Sequence, residues 1–184
     1  MGTKYMLLRH GYRLAAALFA AGLLVNTSAA LAESEPGPTR TVILRRLSFV
    51  TVDNLDFGDM ISGTIPGQVR LFPDGTRTAT GGVTLVGNRQ QPAVFSGYGT
   101  RNQQVLISMS SNSITITGPG APMTVTMWEI GSTPTAILTT TPTRFRITST
   151  SGLFTFPLGA RLSVGANQAP GVYTGNFSIT LNYL

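Results

Sequence analysis

From Tyr173 onward the odd positions read Tyr173, Gly175, Phe177, Ile179, Leu181 and Tyr183, and the even ones Thr174, Asn176, Ser178, Thr180 and Asn182. Apolar and polar side chains alternate with period two, which predicts a β-strand buried on one face. Similar short runs recur upstream: "TVILRRLSFVTV", "PAVFSGYG", "QVLISMSS", "SITITG", "MTVTMWEI" and "FRITSTSGLFTFPLGARLSV". Gly, Pro, Asn and Asp separate them, and Thr, Val, Ile and Phe fill them, as pleated half-buried surfaces favour. Pro73-Asp74-Gly75 lies between two such runs and predicts a hairpin turn. In "VDNLDFGD", Asp53-Asn54 predicts a turn, with Leu55 and Phe57 facing the core. Gly81-Gly82 predicts a bulge or a close approach of two backbones. Many short strands and no helical periodicity beyond residue 32 predict an all-β fold. The expected architecture is a single antiparallel immunoglobulin-like β-sandwich over residues 41–184.

The first residues follow another pattern. Lys4, Arg9 and Arg13 precede an apolar run from Leu14 to Val25, and Ala30 and Ala32 supply small residues before a cut. This order predicts a signal peptide over residues 1–32, cleaved between Ala32 and Glu33. The run is short of the about 20 residues a membrane span takes. Residues 33–40, with Pro36 and Pro38, predict an extended tail. The expected location is outside the cytoplasm: the periplasm in transit, then the cell surface or the medium.

Composition narrows the chemistry. The one His (His10) and the one Lys (Lys4) fall in the leader, and there is no Cys. Removing the leader lowers the formal charge from +6 to +3, with every remaining cation an Arg. The expected mature chain has no imidazole base, no thiol nucleophile and no Schiff-base amine. It also lacks the ligands that zinc, copper and iron sites favour. The arginines form no basic tract, so no nucleic-acid partner is expected. Asp53, Asp56 and Asp59 are too few and too apolar in spacing for a calcium loop. Asp74 falls in the turn, and Glu129 stands alone beside Trp128. Trp128, Tyr98 and Tyr173 could line a sugar-binding face, but a single Trp in a sandwich is more often core. No enzyme activity, cofactor or metal is expected.

An ordered set of motifs carries a resemblance. Leu55-Asp56-Phe57-Gly58, Gly81-Gly82-Val83, Pro92-Ala93-Val94-Phe95 and Gly171-Val172-Tyr173-Thr174-Gly175-Asn176-Phe177 resemble a bacterial exported family, domain-of-unknown-function family 4402. The match covers the chain beyond the tail and implies no activity. A second resemblance is to fimbrial subunits of the chaperone–usher pathway, including spore-coat-U-like subunits. These end in an alternating strand with a penultimate Tyr, here Tyr183, and a Gly fourteenth from the end, here Gly171. Unlike many pilins, this chain has no Cys pair.

The resemblance implies a structural subunit of a fimbria-like or surface-coat assembly. Its partners would be copies of itself or related subunits, with a periplasmic chaperone and an outer-membrane usher in transit. Gly171, Tyr173, Phe177, Ile179, Leu181 and Tyr183 would form the assembly strand. The expected donor segment is Thr39–Arg46, where Val42 and Leu44 share one face and Ile43 takes the other. Two alternatives stay open. The donor segment can instead be the first strand of its own sandwich. The whole chain can instead be a self-contained secreted binding module for a glycan or surface ligand.

Overall fold

The computed structural model describes residues 40–131 and 136–184. The expected signal peptide and the tail as far as residue 39 lie outside the described residues. The described chain contains strands and turns and no helix. Val42–Leu184 form one compact unit.

Strand β10 (Leu153–Val164) is the centre of the larger sheet. Its first half pairs antiparallel with β4 (Ala93–Tyr98), from Leu153 opposite Tyr98 to Leu158 opposite Ala93. Its second half, Ala160–Val164, pairs with β2 (Met60–Leu71). The other edge pairs with β7 (Met123–Ile130). β1 (Ser48–Asp53) lies outside β4, and β3 (Arg77–Leu85) outside β2. β6 (Ser113–Ile116) and β8 (Ala136–Leu138) both pair with β7. The smaller sheet has β5 (Gln104–Met109) between β11 (Ile179–Tyr183) and β9 (Thr143–Arg146), all antiparallel.

Period-two burial accounts for the core. β5 buries Val105, Ile107 and Met109, β10 buries Phe156, Leu158, Ala160, Leu162 and Val164, and β4 buries Ala93 and Phe95. These side chains from both sheets belong to one apolar cluster that also holds Trp128 and Leu181. Phe95 stacks on Phe156 with ring centroids 5.3 Å apart, and Trp128 packs on Phe177 at 4.8 Å. Leu55 and Phe57 pack against the cluster as expected.

The expected hairpin joins β2 to β3. Phe72 N donates to Thr76 O at 2.8 Å and Gly75 N to Phe72 O at 3.0 Å. Asp74 Oδ1 accepts from Thr76 N at 2.9 Å and Thr76 Oγ1 at 2.7 Å, the side-chain turn that Asp readily makes. These two bonds, the hydroxyl's first, hold the Asp74 carboxyl below its ordinary pKa. The β2–β3 register shifts between Ser62 and Gly67, where Gly67 faces Gly81. The added Cβ of an alanine at Gly81 would lie 2.3 Å from Pro66 O, which is the close backbone approach the two glycines predict.

Three sequence expectations change. "TVILRRLSFVTV" is strand only from Ser48, and residues 40–47 are outside any strand. Thr39–Arg46 is therefore not, over its described residues, the first strand of its own fold. The last strand is shorter than its alternation suggests, with residues 175–178 unassigned and Thr174 joined by one bridge to Thr117. Glu129 does not stand alone. Its carboxylate is fully buried and receives Arg70 Nε and Nη2 at 2.6 Å each. That fork, chiefly through its hydrogen bonds, raises the Arg70 pKa.

Candidate functional site

Among the described residues strand β11 pairs on one side only. Ser110 N donates to Ser178 O at 2.9 Å, Leu184 N donates to Gln104 O at 3.1 Å, and Thr174 and Thr117 exchange two bonds of 2.9 Å. The even-numbered backbone groups of this segment thus face β5 and Thr117. Because backbone direction alternates along a strand, the N–H and C=O groups of Gly175, Phe177, Ile179, Leu181 and Tyr183 face the other way. Among the described residues no strand pairs with that edge.

Beside the Gly171–Phe177 part of this edge lies a groove of about 860 Å³. Its floor is apolar and comes from the larger sheet: Phe95, Ile114, Ile116, Met123, Val125 and Leu162. One wall is Gly171–Phe177 and the other is Asn54–Met60, from the end of β1 to the first residue of β2.

Each wall is held in place by side chains outside the floor. On the Asn54–Met60 side, Asp56 and Gln91 exchange backbone bonds of 2.8 Å, and Asp56 Oδ1 accepts from Gly58 N at 2.7 Å. The Arg77 guanidinium gathers four carbonyls: Phe57 O at 2.6 Å, Asp59 O at 3.1 Å, Val86 O at 2.7 Å and Gly87 O at 2.9 Å. Gly58 has φ +71°, and a Cβ there would meet Arg77 Nη1 at 2.7 Å. Both the left-handed backbone and the approaching guanidinium require glycine.

On the opposite wall Gly171 has φ +143°, and a Cβ would meet Pro119 Cγ at 2.5 Å. The Tyr173 hydroxyl accepts from Gly120 N at 2.9 Å and Gln168 Nε2 at 2.8 Å, and donates to Ala169 O at 2.8 Å. Tyr173 is thus committed to the wall's shape, with its ring packed on the core.

The expected assembly-strand residues come together here. Gly171, Tyr173 and Phe177 line the groove, while Ile179, Leu181 and Tyr183 place their side chains on the core side of β11. The expected donor residues do not join them in the same chain. Val42, Ile43 and Leu44 are 54 %, 91 % and 37 % exposed, and none lines the groove. Just beyond them, Arg45 N donates to Thr100 Oγ1 at 2.6 Å. Of the aromatic residues considered for sugar binding, Trp128 is wholly buried and Tyr98 is half exposed. Asn176, in the sequence "NFS", is exposed on the groove wall. Among the described residues no group of three His, Cys, Asp or Glu side chains could hold a metal ion.

Sequence reasoning missed the Arg77 clip and the Arg70–Glu129 pair, since both join residues far apart in the chain. No curated protein and no solved structure matches this chain. A family model described as "Domain of unknown function (DUF4402)" matches residues 47–183, the whole segment from the half-buried Leu47 through the groove to Tyr183, and the chain belongs to that family.

Proposed function

We propose that this chain is an exported structural subunit of a fimbria-like or surface-coat assembly. It polymerises by strand complementation between copies or related subunits, on an immunoglobulin-like, pilin-like sandwich. The open backbone edge that runs from Gly175 through β11, with an apolar-floored groove beside its Gly171–Phe177 part, carries the reading. Proteins usually cover, charge or shorten such edges, and a strand supplied by another chain satisfies one completely.

The exposed Val42-Ile43-Leu44 supplies the complementary part: an apolar segment with no place in its own sheets. The family match also begins after it, at residue 47. In transit, a periplasmic chaperone would hold the edge until an outer-membrane usher exchanges it for the next subunit's arm. The secreted binding module is the competing reading, and the apolar floor favours a peptide strand over a glycan. Removal of residues 33–46 is the test. The shortened chain is expected to fold with chaperone present and to form no polymer. Undiminished polymer from it overturns the donor assignment, and an unshortened chain that forms no polymer at any concentration, with chaperone and usher present, favours the binding module.

A further inference from the structure

The groove is electrically asymmetric. Among the described residues there are five acids, and three of them, Asp53, Asp56 and Asp59, stand on or beside one groove wall. Of the other two, Glu129 is buried against Arg70 and Asp74 is in the β2–β3 turn. Two cations also stand at this wall: Arg77, which keeps its charge while it clips four carbonyls, and Arg89, which precedes the Gln90 whose N approaches Gly58, so the three carboxylates are in excess by one. The exposed arm has the opposite character: Arg40 precedes Val42-Ile43-Leu44 by one residue and the pair Arg45-Arg46 follows directly on them, so the heavier charge is at the arm's C-terminal end.

The two charges lie at opposite ends of the C-terminal segment Gly171–Tyr183. Arg45 is held beside Tyr183, whose hydroxyl donates to Arg45 O at 2.7 Å. From there the chain runs through β1 to Asn54–Asp59, which faces Gly171–Phe177 across the groove. The Tyr183 end is thus the arginine end, and the Gly171 end is the acidic end.

Resting on the strand-complementation reading, we infer that Asp53, Asp56 and Asp59 receive the arginine-flanked arm of a second copy of this chain. The arginine end of one subunit then abuts the acidic end of the next, and the arm enters antiparallel to β11. That contact is heterologous and leaves both outer ends free, so it propagates as a line. The reversed insertion sets two arginine ends together, in a closed pair that like charge opposes. The charges chiefly set orientation and rate of capture, and salt screens them.

The probe is a labelled synthetic peptide of residues 36–46, titrated into the full chain purified as monomer, between about 0.02 and 0.5 M salt. A second peptide carries Arg45→Glu and Arg46→Glu. The native peptide is expected to bind, with affinity falling about tenfold over the salt range, and the Glu peptide to bind at least about tenfold more weakly at low salt. In the Asp53→Asn/Asp59→Asn protein the difference between the peptides should disappear. Asp56 is left unchanged there because its carboxylate accepts Gly58 N. Equal binding of the two peptides to the unmodified chain overturns the charge recognition and leaves strand complementation standing. Discrimination that persists in the Asn variant removes the role of this acidic wall. Binding of neither peptide overturns both this inference and the reading it rests on.

Discussion

The Tyr183 hydroxyl bridges Thr100 and Arg45, accepting from Thr100 N and donating to Arg45 O, each at 2.7 Å. It ties the last strand to the root of the exposed arm. Tyr183→Phe keeps the ring packing and removes both bonds, so it should cost about 1–2 kcal/mol in urea unfolding. It should also speed amide exchange at Thr100, whose N–H loses its acceptor. Tyr183→Asp, which puts a charge on the packed ring's site, should abolish folding or capture. A Phe variant with unchanged stability and exchange contradicts the tie.

The Arg70–Glu129 fork is one-sided in burial, with the Arg side chain 34 % exposed and the Glu 0 %. Removing one partner from such a pair is costly, while replacing both by apolar groups need not be. Arg70→Met should destabilise by about 2 kcal/mol, below the about 3–5 kcal/mol of a fully buried pair because the guanidinium is partly solvated. The double variant Arg70→Met/Glu129→Leu should recover most of that loss. Urea midpoints for the two variants are the check.

Met127 has φ +51°, at a register shift where Gly159 pairs with Glu129 and Arg161 with Thr126. The left-handed region costs an L-residue about 1–2 kcal/mol, and glycine's extra unfolded freedom offsets about 0.5–1 kcal/mol. Met127→Gly should therefore stabilise by about 0.5 kcal/mol. Met127→Val, branched at Cβ, should destabilise by more than about 1 kcal/mol. Loss of stability in the Gly variant contradicts this account.

Asp74 is held below its ordinary pKa by Thr76. A carboxyl lowered in the folded state adds stability above its unfolded pKa of about 3.9 and loses it as pH falls through the folded value. Thr76→Val removes the hydroxyl bond, so NMR titration should find the Asp74 pKa moved upward. An unmoved titration contradicts the assignment of the cause.

Much of this fold is legible because period two and turn chemistry are local. β7 was read to its ends, and the Asp74-Gly75 turn follows from residue types alone. The failures are non-local. Continued alternation through "MTVTMWEI" puts Met127 inward, but the bulge leaves it exposed and buries Trp128 and Glu129 in succession. The alternation of "TVILRR" also reads as strand, yet pairing needs a neighbour, and residues 40–47 have none among the described residues. The C-terminal wall of the candidate site was readable from its own alternation. The opposite wall was not, because Arg77 and Gln91 reach Asp56–Asp59 from distant positions.

Hydrogen exchange of the odd-numbered amides from Gly175 to Tyr183 tests the central claim most directly, because these groups face the edge with which no described strand pairs. Monomer and assembled material are compared. The account predicts rapid exchange at Gly175, Phe177 and Ile179 in the monomer and strong protection of the same amides in the assembly, lost again when residues 33–46 are removed. Equal exchange at these amides in monomer and assembly would contradict it.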